Sequence, residues 1–365
     1  MRRKILHISQ APIGGVVEYL KLYFNNYDQE LFDQELICPS EGNITDVARA
    51  NGIKANNINM VREISPLTDL KSIIEIRGII KEVNPDIIYL HSSKAGALGR
   101  IAALGLSNKV VYNAHGWSFT IKTSNIKKCI YGKIERVLAH FTDLIINVSK
   151  DEYEQALTYK IPKEKMITVT NAIDVDLYKK HSKSKFFEKF VIGFVGRLDE
   201  QKNPMFLIDI ALEIIPKIPN ALFYVVGDGD LKKEFTEKIN QNQLNQYFHM
   251  AGWSSNVAEE ICNFDVALMI SKWEGFGLVV CEYMAARKPV IGVPVGGVKN
   301  IINHKKNGIL VSGYNPSEFS EYILELKEGD ISKDIITNQA YIDVTEKYSI
   351  KAMMAKQEKL LLDLS

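Results

Sequence analysis

Cysteine is scarce: Cys38, Cys129, Cys262 and Cys281 are the only four in 365 residues, and no two form a Cys-x-x-Cys pair. That excludes a disulfide framework and the usual spacing of a structural zinc site. Net charge is almost absent, with 45 Lys plus Arg against 44 Asp plus Glu. A general nucleic-acid binder normally carries a basic excess, so no nucleic-acid partner is expected. No apolar run approaches the ~20 residues needed to span a bilayer. The start, Met1-Arg2-Arg3-Lys4-Ile5-Leu6-His7-Ile8, is basic and then apolar, but its apolar part is too short for a signal peptide. Low-complexity tracts and short repeats are missing. A reducing, cytoplasmic setting is the expectation.

What is present is an ordinary globular composition, 46% hydrophobic and 24% charged. At roughly 150 residues per domain, the length predicts two domains. Short, nearly continuous Ile/Val/Leu/Tyr runs at 4–9, 33–38, 86–91, 109–114 and 144–148 read as strands buried on both faces. Helical patterns at 16–26, 67–83, 95–106 and 126–140 separate them. The second half repeats the plan, with strands at 190–195, 221–226, 248–251, 266–270, 289–293 and 308–311. Helices are expected at 204–217, with Asn203 as N-cap and Pro204 at the first helical position, and at 278–286. Such alternation implies right-handed crossovers and parallel sheets. The predicted fold is α/β: two doubly wound Rossmann-like domains facing a cleft. The first spans 1–180 and the second 181–345, with a basic, polar linker at 177–189 and an amphipathic final helix within 346–365.

Two loops at strand ends carry the strongest chemistry. In Trp273-Glu274-Gly275-Phe276-Gly277-Leu278-Val279-Val280-Cys281-Glu282, glycines let the backbone approach a ligand. The amides of Leu278 and Val279 then open a helix, which is an anion site. Glu274 in that loop fits a neutral hydroxylated group beside a phosphate. Glu282, about one turn into the helix, suits two vicinal hydroxyls. A phosphate between two hydroxyl-binding carboxylates describes a nucleotide sugar. In Gly196-Arg197-Leu198-Asp199-Glu200-Gln201-Lys202-Asn203, Arg197 offers a planar fork and Lys202 a compact charge for a departing diphosphate. Read alone, either loop could be ordinary polar surface; together they converge on one ligand class.

Four further features are narrower. Gly14-Gly15 joins the first strand to the first helix, a turn suited to phosphate or sugar but not the dinucleotide fingerprint. His91 and His115 end strands, and Gly116 beside His115 tilts it toward the cleft mouth. Asp174-Val175-Asp176 and Asp228-Gly229-Asp230 invite a metal, but Arg197, Lys202 and the helix termini already supply positive charge, so no metal and no cofactor are expected. Between Lys109 and Arg136 there are six basic residues and one acid, Glu135. There Ile126, Ile130, Ile134, Val137, Leu138 and Phe141 form an apolar stripe beside Lys127, Lys128, Lys133 and Arg136. Such a helix can lie on anionic lipid, or it can face a core.

The set resembles the retaining glycosyltransferases of family 4, with the two-domain GT-B fold, particularly bacterial surface-polysaccharide, capsule and exopolysaccharide enzymes. The resemblance rests on Glu274-x7-Glu282, the Arg197/Lys202 pair and Gly14-Gly15, in order and at the right strand ends. It extends to Asn171-Ala172-Ile173-Asp174, where Ala172 replaces the family's usual glycine. It implies that Arg197 and Lys202 bind the donor diphosphate and Glu282 the ribose. Glu274 with Gly275, Phe276, Gly277, Leu278 and Val279 would grip the donor sugar and phosphate, and Trp253 would lie against the base. Gly14 and Gly15 would approach the phosphates from the other domain, and His115 would contact the sugar near its reacting face. His115 and Glu274 are thus the candidate catalytic residues. The first domain would choose the acceptor, and the final helix would cross back onto it. The implied partners are a UDP-sugar donor, a saccharide or lipid-linked acceptor, and an anionic membrane surface at the inner face of the cell membrane. The rival expectations are a nucleotide-sugar epimerase, or a non-catalytic partner of another transferase.

Overall fold

The computed structural model describes residues 2–12, 14–40, 43–61, 63–120, 123–178, 186 and 188–364. Most of the expected linker, residues 179–185 and 187, lies outside the described residues. The chain divides into two units. Unit 1 is Met1–Asn171 with Ile350–Ser365, and unit 2 is Ala172–Ser349.

Unit 1 holds seven strands: β1 (Arg3–Ser9), β2 (Phe32–Cys38), β3 (Lys54–Asn57), β4 (Ile87–His91), β5 (Lys109–Asn113), β6 (Leu144–Asn147) and β7 (Met166–Thr168). All pair in parallel, in the order β3-β2-β1-β4-β5-β6-β7. The central strands are buried along nearly their whole length, which is why they read as unbroken apolar runs. The two strands without a sequence signal are the edges. β3 is the polar Lys-Ala-Asn-Asn and β7 has three residues; an edge strand is covered less and needs less apolar character.

Unit 2 holds β8 (Phe190–Val195), β9 (Ala221–Val226), β10 (Phe248–Gly252), β11 (Val266–Met269), β12 (Val290–Gly292) and β13 (Ile309–Leu310), parallel in the order β10-β9-β8-β11-β12-β13. Its core runs from Ile192 and Phe194 through Phe223, Val225, Leu268 and Ile291 to the helices Phe206–Ile214 and Pro316–Glu328. The expected helix start at Asn203-Pro204 shifts. Asn203 sits at φ 56°, its amide bonded to the Asp199 carbonyl at 3.1 Å. The helix begins at Phe206 with Met205 as N-cap. The loop's own turn takes the residues that propensity assigns to the cap.

The final helix, Ile350–Asp363, belongs to unit 1. Gln357 donates to the Tyr19 hydroxyl. The Glu358 carboxylate accepts from the Asp28 amide at 2.9 Å, and Arg3 donates to the Leu361 carbonyl at 2.7 Å. Among the described residues, no helix is long and apolar enough to cross a membrane.

Candidate active site

In unit 2 the strand order reverses between β8 and β11, and loops leaving adjacent strands there run to opposite faces and open a crevice at the carboxyl ends. The loop after β8 carries Arg197 and Lys202; the loop after β11 carries Glu274. They are stitched by backbone: Lys272 N–H donates to the Gln201 carbonyl at 2.7 Å, and the Gln201 side chain donates to the Trp273 carbonyl at 3.1 Å. Lys202 Nζ lies 2.5 Å from Glu274 Oε1, with both side chains largely covered. Each neutralises the other, so the Glu274 carboxylate sits against its own counter-ion. Arg197 is the exposed cation, 3.1 Å from Asp199 Oδ2 and 3.2 Å from Gln201 Oε1. Such surface contacts are weak and exchangeable.

The helix Leu278–Ala285 starts at Gly277, φ 97°. Leu278 and Val279 are half-buried in its first turn, and Phe276 packs edge-on against Tyr348. Tyr283, from the same helix, accepts the Val195 amide at 2.9 Å and fixes the end of β8. Glu282 pairs with the Tyr178 phenol; burial first, and the Glu282 carboxylate second, push that phenol's pKa up. Trp253 is 76% exposed on the loop after β10, and no hydrogen bond or ring contact among the described residues joins it to the Lys202–Glu274 pair.

Sequence reasoning missed the layer beneath these loops. A Cβ on Gly296 would meet the Glu274 carbonyl oxygen at 1.7 Å, and one on Gly297 the Phe276 carbonyl oxygen at 2.5 Å. Gly275 and Gly277 lie in the motif itself; the pair supporting them lies past β12, in Pro294-Val295-Gly296-Gly297, where the paired glycines are the sequence signal. Gly227 does the same for the other loop: at φ 138°, its Cβ would fall 1.9 Å from the Gly196 oxygen. Tyr178 was hidden in the segment read as linker. Of the two Asp-x-Asp pairs, Asp228 is held by Lys232 at 2.6 Å and Asp174 by the Asp176 amide at 3.1 Å. Among the described residues no cluster of three His, Cys, Asp or Glu side chains could hold a metal.

Unit 1 reverses between β1 and β4, and a pocket of about 420 Å³ opens there. Gln10 and Val16, flanking Gly14-Gly15, line it from the β1 side, Ser92, Ser93 and Lys94 from the β4 side, and His115 with Gly116 from the end of β5. His115 is held at φ 50°, its amide bonded to Asn113 Oδ1 at 3.1 Å. Behind it lie His91 and His7, both fully buried. Burial lowers His7 and His115 to about 3, and holds His91 well below the ordinary value. Two apolar surfaces meet at this pocket. Ile64 lines it next to the helix Pro66–Val83, whose Leu67 is 79% exposed. Ile134 lines it from the helix Asn125–Leu138. That helix is inverted. Gly132, Glu135 and Leu138 face inward, and Glu135 pairs with buried Arg100 at 2.7 Å. Ile126 and Val137, 74% and 59% exposed, face out with Ile130 and Ile134.

The predicted residues therefore fall in two groups. Arg197, Lys202, Glu274 to Val279 and Glu282 gather at the β8/β11 reversal; His115 and the Gly14-Gly15 turn gather at the β1/β4 reversal. Two doubly wound units, each with its polar loops at such a reversal, define the GT-B class. Two family models match, "Glycosyltransferase Family 4" over residues 13–177 and "Glycosyl transferases group 1" over residues 176–343. The chain belongs to this glycosyltransferase family. It is 27% identical to the UDP-Gal:alpha-D-GlcNAc-diphosphoundecaprenol alpha-1,3-galactosyltransferase of Escherichia coli, over 99% of this chain and 97% of that protein. It is 33% identical to a 41.2 kDa protein of the Klebsiella pneumoniae cps region, over 84% of this chain and 86% of that one. Among solved structures, Anabaena HepE in complex with UDP and glucose superposes at a TM-score of 0.84, with 20% identity and all of both chains covered.

Two predictions follow from this geometry. Gly227→Ala forces a left-handed alanine against the Gly196 carbonyl, a cost of about 2 kcal/mol or more; a lowered urea midpoint for unit 2 is the expected readout. The three neutral histidines make unit 1 acid-sensitive. Below about pH 6.5 the unfolded chain takes up protons that the folded chain refuses, His7 and His115 until about pH 3 and His91 also to well below its ordinary range, so stability falls as pH falls, by about 1.4 kcal/mol per unit for each fully titrating group. Glu152, whose burial raises it to about 7, works in the opposite sense and offsets one of the three. Urea unfolding at pH 7 and pH 5 measures the net loss.

Proposed function

We propose that this glycosyltransferase moves a sugar from a UDP-sugar to a hydroxyl of a lipid-linked saccharide, with retention at the anomeric carbon. The observation that carries the reading is the Lys202–Glu274 contact at the β8/β11 reversal, with Arg197 beside it and the Leu278–Ala285 helix start opening the same crevice. Arg197 and the amides of Leu278 and Val279 take the diphosphate, and Glu282 the ribose hydroxyls. Glu274 grips a sugar hydroxyl while Lys202 bridges it to the phosphate. The bond from the anomeric carbon to the diphosphate oxygen breaks, and the acceptor oxygen bonds to the same face. The acceptor's proton passes to the departing diphosphate. Charge builds on that diphosphate in the transition state, where preorganised cations and amides act most strongly. His115, at the pocket of unit 1, contacts a hydroxyl of the saccharide taken into that pocket. The named activity of the Escherichia coli relative, with UDP-Gal and a diphosphoundecaprenol-linked GlcNAc, supports this choice of donor and acceptor.

The inverted helix supports the lipid-linked acceptor. A stripe of isoleucines turned to water while Glu135 is buried suits an apolar partner, and exposed Lys127, Lys133 and Arg136 around it suit an anionic one. A lipid surface offers both, and a lipid-linked acceptor entering between Ile64 and Ile134 would reach His115.

Three measurements test this. A thermal-shift screen of UDP-, GDP-, dTDP- and ADP-sugars should single out a UDP-sugar, because a ligand of the folded state raises its stability; no shift with any of them removes the donor site. Lys202→Ala should lower turnover by roughly tenfold or more, a decade being about 1.4 kcal/mol, and near-normal kinetics would take Lys202 out of the reaction. Vesicles containing phosphatidylglycerol should co-sediment the protein at low salt, and Ile126→Glu with Lys133→Glu should abolish this; binding equal to that on neutral vesicles would discard the surface.

A further inference from the structure

Three histidines of unit 1, His7 and His91 fully buried and His115 at the pocket, are evenly placed. Gln34 on β2 is the register partner of Ile5, and His7 lies two residues further along β1. His7 partners Tyr89, and His91 lies two residues further along β4. His91 partners Asn113, and His115 lies two residues beyond β5. A step of two keeps every side chain on one face of the sheet. The row therefore climbs diagonally, one strand at a time, toward the carboxyl edge and the pocket. It is continuous in hydrogen bonds: Gln34 Oε1 to His7 Nε2 at 2.8 Å, His7 Nδ1 to His91 Nε2 at 2.9 Å, and His91 Nδ1 to His115 Nε2 at 3.1 Å.

A neutral imidazole has one N–H and one lone pair, so a chain of them has a direction. The Gln34 oxygen can only accept, so His7 carries its proton on Nε2 and must accept at Nδ1. His91 then carries its proton on Nε2, and so does His115. Turning the Gln34 amide over would reverse every proton in the row.

We propose that Gln34, through His7 and His91, fixes His115 as the Nε2–H tautomer, so that His115 Nδ1 faces the reacting ligand as a hydrogen-bond acceptor for a sugar hydroxyl. Gln34, His7 and His91 are positioning residues. The row starts three strands away from β5, and nothing in it touches the ligand except His115. Aromatic rings pack around the row: His7 lies against Tyr23, Phe24 and Tyr89, and His115 lies edge-on to Tyr19 at 4.5 Å. The identity of the ligand rests on the function proposed above; the direction of the row does not.

Histidine-selective ¹⁵N labelling and long-range ¹H–¹⁵N correlation of the ligand-free protein read the tautomers directly, with His115→Gln assigning the signal. The wild type should show His115 with a pyridine-like Nδ1 and a protonated Nε2 between pH 6 and 8. In Gln34→Leu the His115 signal should move to a mixture of tautomers, and His7→Phe, which cuts the row one ring later, should do the same. Turnover in these variants should fall by about three- to tenfold, the worth of a single hydrogen bond, with the donor KM unchanged. A protonated Nδ1 in the wild type overturns the proposal, and so does an unmoved His115 in either folded variant. The wild-type spectrum decides the direction even where neither variant folds. A wild-type protein with the expected tautomer but no transfer from any sugar nucleotide would overturn the ligand and leave the row standing.

Discussion

Each sheet reverses its strand order once, and that constraint places most of the candidate site side chains. Parallel strands joined by right-handed crossovers run outward from β1 to β3, and the chain must then return to place β4 on the other side. Loops from neighbouring strands diverge only at that point, so only there does the backbone leave room for a ligand at the carboxyl edge. β8 and β11 repeat the situation in unit 2. Gly14-Gly15, His115, Arg197, Lys202 and Glu274 are scattered in sequence because the reversals gather loops from strands that are remote in the chain.

The two reversals handle polarity differently. In unit 2 charge is present and cancelled: Lys202 and Glu274 hold each other in a largely covered setting, where a ligand can bridge the pair without facing a bare carboxylate. In unit 1 the histidine row carries no charge. Burial keeps the imidazoles neutral, and their polarity is spent on a hydrogen-bond direction. A neutral, oriented acceptor suits a hydroxyl, whereas a held ion pair beside a helix start suits a diphosphate with a sugar attached.

Much of the fold was legible because strands buried on both faces write themselves as apolar runs; β8 and β9 match their sequence signals residue for residue. Edge strands β3 and β7 carry no such run and left no trace. The loops after β8 and β11 were legible because glycine, cation and acid cluster within a few residues there. What stayed hidden depends on distant pairs. Gly296 against Glu274, Tyr178 against Glu282 and Gln34 against His7 become partners only once the sheets exist. The helix Asn125–Leu138 shows the limit of periodicity: the stripe was visible, but its buried Glu135, tied to Arg100, decides that the apolar side turns out.

Unit 1 is built from two stretches of chain, with all of unit 2 inserted between them. A ribosome delivers the first stretch, then the whole of unit 2, and only then the helix Ile350–Asp363 that supplies Gln357 to Tyr19 and an acceptor to Arg3. Synthesis from the amino end therefore lets unit 2 complete its sheet while unit 1 still lacks its last helix. The part of the molecule made first is the last to be finished, and a nascent chain spends its longest exposed interval with the isoleucine surface and the unclosed first sheet both open to chaperones.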